Sequence, residues 1–221
     1  MMLTAVTTPN TLRKQLRTQR NLLTPDQQNQ HALQALTYLQ HFLQNDANPL
    51  IQTMVQAEPS RPLNIALFLS QDGELKTQPA IEYLWHHTEH RVFLPALETK
   101  PDLHMAFVEY KETSHMINNQ FGIPEPKTPL DQHLTGQQMD IVLMPLVGFD
   151  LHGNRMGMGG GYYDRSFAFK RQPQEAMNPT QLIGWAHSCQ QVPQLPIEPW
   201  DVPLDGIITE QGFDSFTRKA Y

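Results

Sequence analysis

The chain has 221 residues, 39% of them hydrophobic, which is enough to bury a sizeable core and suits one α/β domain over 1–221. Its formal charge of −6 argues against nucleic acid or a membrane surface as the main partner, since such proteins carry an excess of Lys and Arg. One cysteine, Cys189, excludes an intrachain disulfide, no Cys and His spacing suggests zinc, and no run approaches the ~20 apolar residues of a membrane span. A small-molecule partner and a cytoplasmic protein without export signal or anchor are expected.

Leu12 and Leu16 recur four apart, and Arg13, Arg17 and Arg20 recur at i, i+4 and i+7, which predicts a helix over 11–23 with three arginines on one face. Taken alone, that face is most simply a solvated one; an RNA-binding surface is the less favoured alternative. Thr24-Pro25-Asp26-Gln27 reads as a helix start with a capping box, opening a second helix to about Gln44 whose packed face is Ala32, Leu36, Leu39 and Leu43. Residues 45–62, rich in Asn, Gln and Pro, read as an irregular connection. The apolar run 65–69 reads as a strand buried on both faces, followed by a helix over 77–87 and a strand over 91–94.

Further strands are predicted over 105–110, 140–147, 182–186 and 206–209, with a rigid Pro-rich loop over 193–203. Alternation of this kind predicts an α/β fold of three layers, α/β/α, with a largely parallel and possibly mixed central sheet. His86, His87 and His90 cluster at a helix end, but no carboxylate or cysteine nearby completes a ligand set, so they read as surface histidines.

The most informative stretch runs strand, loop, helix from Met139 to Arg165. Gly157, Gly159, Gly160 and Gly161 leave backbone N–H groups uncovered, and a helix starting near Tyr162 would aim its positive end into the loop, as in a phosphate cradle. Arg155 and Arg165 flank it with charge suited to phosphate oxygens. The spacing matches neither the Walker pattern nor the dinucleotide fingerprint. By itself the glycine cluster is equally a tight loop with no ligand.

Phe149-Asp150, Gly153-Asn154-Arg155 and the run Gly157-Met158-Gly159-Gly160-Gly161-Tyr162-Tyr163-Asp164-Arg165 resemble the signature of the 5-formyltetrahydrofolate cyclo-ligases, also called methenyltetrahydrofolate synthetases. The basic segment 13–17, the turn 73–77, Phe121-Gly122-Ile123-Pro124-Glu125-Pro126 and 191–201 follow in the family's order, so the resemblance spans nearly the whole chain. Arg13 stands where many relatives have Lys, and Met158 and Trp200 also depart from the common pattern.

The resemblance implies an ATP- and magnesium-dependent ligase that closes 5-formyltetrahydrofolate, with or without a polyglutamate tail, to the 5,10-methenyl form, releasing ADP and phosphate. Phosphorylating the formyl oxygen turns a poor leaving group into a good one, and N10 then attacks. Such a site needs stabilisation of phosphate charge more than a protein nucleophile. By resemblance Arg13, Lys14, Arg17, Arg155, Gly157, Met158, Gly159, Gly160, Gly161, Tyr162 and Tyr163 hold the triphosphate, with Arg155 and Tyr162 catalytic. Leu69, Glu74 and Phe121 border the folate together with Met158 to Tyr162, and Asp164 and Asp201 hold magnesium. A monomer is expected. The alternative is a non-catalytic folate- or nucleotide-binding protein of the same fold.

Overall fold

The structure, a computed structural model, describes residues 8–44, 61–97, 105–119, 122–172 and 178–216. Most of the predicted irregular connection, and Phe121, lie outside the described residues. Helix α1 (Pro9–Asn21) starts two residues earlier than predicted, because Thr8 caps it through a bond from the Thr11 N–H and Pro9 opens the first turn. Helix α2 (Pro25–Gln44) starts on the predicted capping box: the Gln27 N–H donates to Thr24 Oγ1 at 3.2 Å and the Thr24 N–H to Gln27 Oε1 at 2.9 Å. Its buried stripe is Ala32, Ala35, Leu39 and Phe42, with Leu36 and Leu43 at the margin. No described helix is long and apolar enough to cross a membrane.

In chain order the remaining elements are β1 (Asn64–Ala66), α3 (Gln78–His87), β2 (Arg91–Leu97), β3 (Met105–Glu109), β4 (Met116–Asn118), β5 (Pro124–Pro126), β6 (Ile141–Met144), β7 (Gly148–Phe149), β8 (Arg155–Met156), α4 (Tyr162–Ser166), β9 (Gln181–Trp185), β10 (Gly206–Thr209) and β11 (Gly212–Ser215). Seven strands form one sheet in the order β11-β10-β9-β6-β1-β2-β3. The five inner strands are parallel, while β3 and β11 run antiparallel at the edges, so the sheet is mixed. β6 is shorter than predicted: it stops at Met144 because Pro145 has no N–H to give the ladder.

Alternating side chains feed two cores. Ile65, Ile141, Leu143 and Ile183 pack under α2 and α3, while Ala66, Val142, Met144 and Leu182 pack on the other face with Phe149, Phe167 and Leu204. That second face is covered by α4, a 3-10 turn over Ala168–Arg171 and extended loops rather than by long helices. Each fully buried Leu or Ile contributes ~1.5–3 kcal/mol over exposure.

From β1 the chain moves to β2 on one side, and β6 pairs on the other side of β1. The carboxyl ends of β1 and β6 are therefore a switch point, where open parallel sheets leave a ligand crevice.

Candidate active site

A cavity of about 630 Å3 lies at that switch point. The loop after β1 supplies Leu69, Asp72 and Glu74, and the loop after β6 supplies residues 155–164. Helix α1 adds Arg13, Arg17 and Arg20, and the Pro-rich loop adds Trp200 and Asp201. Pro95, Leu97 and Met105 form an apolar wall, and Asn119 and Ile123 from the β4–β5 hairpin segment close the far side.

The loop after β1 is held by arginines. Asp72 is the one described non-glycine residue with positive φ, at 49°, followed by Gly73 at 71°. Arg17 Nε donates to Asp72 Oδ2 at 2.7 Å and holds that carboxyl below the usual carboxylate range. Arg20 is only 1% exposed, donating to the Asp72 carbonyl at 2.8 Å, to Asp72 Oδ2 at 3.0 Å and to the Leu146 carbonyl at 3.2 Å. The predicted basic face is thus split: Arg20 is a buried strut between the loops after β1 and β6. Glu74 follows, with Oε2 accepting the Gln71 N–H at 3.0 Å and Oε1 3.9 Å from Arg20 Nη2. Burial pushes the Glu74 carboxyl above its ordinary value.

The glycine loop is carried by a short ribbon absent from the predicted pattern, β7 paired with β8. Asp150, fully buried, organises the turn: its Oδ1 accepts the N–H groups of His152 and Asn154, and its Oδ2 accepts Asn154 Nδ2 and the Leu195 N–H. The ribbon is thereby tied to the Pro-rich loop. β8 then launches Arg155 towards Asp164, with Nη2 2.7 Å from Asp164 Oδ1. The Arg155 side chain is 5% exposed, and its Nε has no hydrogen bond among the described residues. A buried guanidinium N–H left unmatched beside a cavity is a donor waiting for an acceptor.

Arg13 Nε donates to the Gly157 carbonyl at 2.9 Å, so α1 braces the loop directly. Gly159 and Gly161 sit at φ 96° and 64°, where side chains are strained. A Cβ on Gly157 would meet nothing within 4 Å, so the protein's own packing does not require glycine there. Helix α4 begins at Tyr162 as predicted but has only five residues, so its dipole is slight and the loop's own N–H groups and arginines carry the positive field. Tyr163 is pushed above its ordinary phenol value by burial first and by Glu74 second, with Arg155 opposing.

Asp164 and Asp201 line the same cavity. Asp164 Oδ1 takes Arg155 and the Val202 N–H, and Asp201 Oδ2 takes the Glu198 N–H at 2.8 Å. Each carboxylate keeps a second oxygen with no hydrogen bond among the described residues, and hard oxygens of this kind suit magnesium beside phosphates.

Of the predicted residues, Arg13, Arg17, Leu69, Glu74, Arg155, Gly157 to Asp164 and Asp201 share one cavity. Lys14 does not: it is exposed and lies with Thr18 and Leu22 in a shallow groove on the outer side of α1. Met158 and Trp200, two of the three positions expected to depart from the family's pattern, line the cavity with 58% of each exposed. Asp72 and the site role of Arg20 are not evident from the sequence pattern. The Gln71-Asp72-Gly73 turn was the available signal for the first, but nothing local marks a buried arginine.

A profile of the 5-formyltetrahydrofolate cyclo-ligase family matches residues 6–210. The 5-formyltetrahydrofolate cyclo-ligase of Escherichia coli (strain K12) is 37% identical over 198 residues, 88% of this chain and 96% of that one. The enzyme of the same name from Haemophilus influenzae is 42% identical over 152 residues, 68% and 78% of the two chains. Among solved structures, the Aquifex aeolicus 5,10-methenyltetrahydrofolate synthetase shares the fold with a TM-score of 0.71 over 96% of this chain and 95% of that one, at 23% identity. The Mycoplasma pneumoniae synthetase aligns with a TM-score of 0.64 at 25% identity, over 91% and 98%. The chain belongs to the 5-formyltetrahydrofolate cyclo-ligase family.

Proposed function

We propose that this enzyme cyclises 5-formyltetrahydrofolate to 5,10-methenyltetrahydrofolate, using ATP with magnesium and releasing ADP and phosphate. The observation that carries this reading is the convergence of Arg13, Arg155 with its unmatched Nε, the glycine loop and Glu74 on one cavity.

In this reading the triphosphate lies along 157–161, where the glycine N–H groups and the Arg13, Arg17 and Arg155 guanidiniums meet its oxygens. Magnesium, when bound by Asp164 and Asp201, supplies further positive charge to those oxygens. The folate occupies the apolar side formed by Leu69, Pro95, Leu97 and Met105, with Glu74 accepting from ring N–H groups and Met158 to Tyr162 covering the formyl end.

The formyl oxygen attacks the γ-phosphorus, the bond to ADP breaks, and Arg155 stabilises the charge on the transferring group. Nitrogen N10 then attacks the activated carbon and gives up its proton. Phosphate departs with the former formyl oxygen, and the ring closes as the methenyl cation. Burial and then Glu74 raise the Tyr163 phenol above its ordinary value, which makes it a hydrogen-bond donor to the bound ligands rather than a base. Tyr162, carrying the Arg165 guanidinium 5.1 Å above its ring, lines the loop where the formyl group arrives. We further read the chain as one catalytic domain acting as a monomer in the cytoplasm.

Purified protein with Mg-ATP and 5-formyltetrahydrofolate is expected to generate new near-ultraviolet absorbance from the conjugated product, with ADP in equal amount. Absence of product at saturating ATP, with both ligands bound by calorimetry, would instead establish a non-catalytic binder.

A further inference from the structure

Outside the cavity, three side chains distant in sequence converge at the carboxyl ends of β9 and β10. His187 lies two residues past β9, Glu210 directly follows β10, and His31 faces them from α2. His31 Nδ1 and His187 Nδ1 stand 2.9 Å apart, His31 Nδ1 is 3.8 Å from Glu210 Oε2, and all three donor atoms lie within 4.8 Å of one another.

We propose that His31, His187 and Glu210 form a binding site for one borderline divalent cation of the Zn2+ class, separate from the carboxylate pair of the active site. Bonds of 2.0–2.2 Å in a tetrahedron put ligand atoms roughly 3.3–3.5 Å apart, so the two rings need part by only ~0.4–0.6 Å, while the carboxylate closes on His31 by a similar amount and on His187 by at most ~1.5 Å, within the reach of side-chain rotation. Two imidazoles with one carboxylate favour Zn2+, Ni2+ or Cu2+ over Mg2+, which prefers an all-oxygen shell.

The surroundings are built for this. Glu210 is fixed at both oxygens, Oε2 accepting the Ser188 N–H at 2.9 Å and Oε1 accepting Ser188 Oγ–H in a short bond, and Gln211 Nε2 donates to Ser188 Oγ at 3.0 Å. Such outer contacts orient metal-binding carboxylates. His187 is fully buried, and its backbone N–H is tied to Gln190 Oε1. Two ring nitrogens pointed at each other at 2.9 Å are compatible only through a shared proton, and a cation replaces that proton with bonds to both. A cation held there also joins α2 to the ends of β9 and β10, so it stabilises the folded chain by mass action.

The test uses untagged full-length protein, stripped with chelator and kept in excess Mg2+ to fill hard oxygen sites. Zn2+ is titrated by calorimetry and Co2+ by visible absorbance. One equivalent of Zn2+ bound in the presence of Mg2+, with the intense visible bands of four-coordinate Co2+, is the expected result. His31→Ala and Glu210→Gln should each weaken binding by ~10-fold or more, with unchanged circular dichroism. His31 is only partly buried, so its truncation tests the site without threatening the core as a His187 variant would. A His86→Ala/His87→Ala double variant should bind as the wild type does. The proposal is overturned if Zn2+ does not bind, if affinity survives His31→Ala, or if it is lost in the His86/His87 variant.

Discussion

Arg20 grips Asp72 at two points, its Nε on the main-chain carbonyl at 2.8 Å and its Nη2 on the carboxylate at 3.0 Å. The grip explains how a non-glycine residue persists at φ 49°, a conformation that costs on the order of 1–2 kcal/mol. It also sets where Glu74 stands two residues later. A lysine keeps the charge but offers a point rather than a fork, and cannot hold both oxygens and the Leu146 carbonyl together. Arg20→Lys is therefore expected to lose about 2 kcal/mol, a fall of roughly 4–8 °C in Tm for a chain of this size. Folate KM should rise several-fold while kcat changes less, because the loss is in positioning. An unchanged melting curve with unchanged KM would show that the strut is dispensable.

Arg155 carries the heaviest functional expectation. Its Nη2 is committed to Asp164, and its Nε is the unmatched buried donor. Removing one positioned donor to developing charge costs about 100- to 1,000-fold in comparable sites. Arg155→Ala should lower kcat by at least that, and Asp164→Asn should raise the magnesium concentration needed for half-maximal rate. The Asp164 side chain is 19% exposed, so solvent can meet the orphaned carboxylate and the fold should survive. Initial rates beside circular dichroism check this; near-normal rates in both variants would remove these residues from the chemistry.

The parallel core was legible because its strands are short apolar runs, and β10 was predicted at its observed bounds, Gly206–Thr209. The capping box at Thr24 was legible for the same reason: its signal is local. The β4–β5 hairpin was not, because a strand of Pro124-Glu125-Pro126 violates β propensity and exists only by tertiary pairing with Met116–Asn118. The two-residue strands β7 and β8 are too short for any period, and the buried carboxylate of Asp150 sets their turn. At the site, the glycine loop announced itself, whereas Asp201 joined it only through resemblance. Arg20 read as part of a solvated face because periodicity reports which side of a helix a residue occupies, not what covers that side.

Gly157 and Gly161 separate ligand-driven from fold-driven glycine. A Cβ at Gly157 meets nothing within 4 Å and its φ is not positive, so Gly157→Ala should melt like the wild type while ATP KM rises ~10-fold or more as the methyl enters the phosphate path. At Gly161 the φ of 64° strains any residue with a Cβ, while the 2.9 Å approach of that Cβ to the flexible tip of Arg165 is relieved by a small movement of the side chain. Gly161→Ala should therefore lose about 1–2 kcal/mol of stability along with activity. Paired melts and ATP titrations distinguish them; equal destabilisation by both would mean that the loop is glycine-rich for folding alone.

Glu74 links pH to both stability and binding. Burial raises its carboxyl above the ordinary 4.5, against the bond from the Gln71 N–H and the pull of Arg20. Between the unfolded and folded values the native protein holds a proton that the unfolded chain has released, so stability falls as pH rises through that window and stays reduced above it. Glu74→Gln removes the ionisation and can keep the Gln71 bond through its amide oxygen. The variant should match the wild type near about pH 4 and exceed its Tm increasingly as pH rises above the ordinary carboxylate range, where folding holds the wild-type group against its ionisation. Folate affinity should fall about ten-fold or more at higher pH, since a charged acceptor has become a neutral one. Melts across that pH range and a folate titration check both halves. A lower Tm for Glu74→Gln at higher pH would mean that attraction to Arg20 outweighs the burial cost, making Glu74 a structural partner of the arginine cluster rather than a strained binding group.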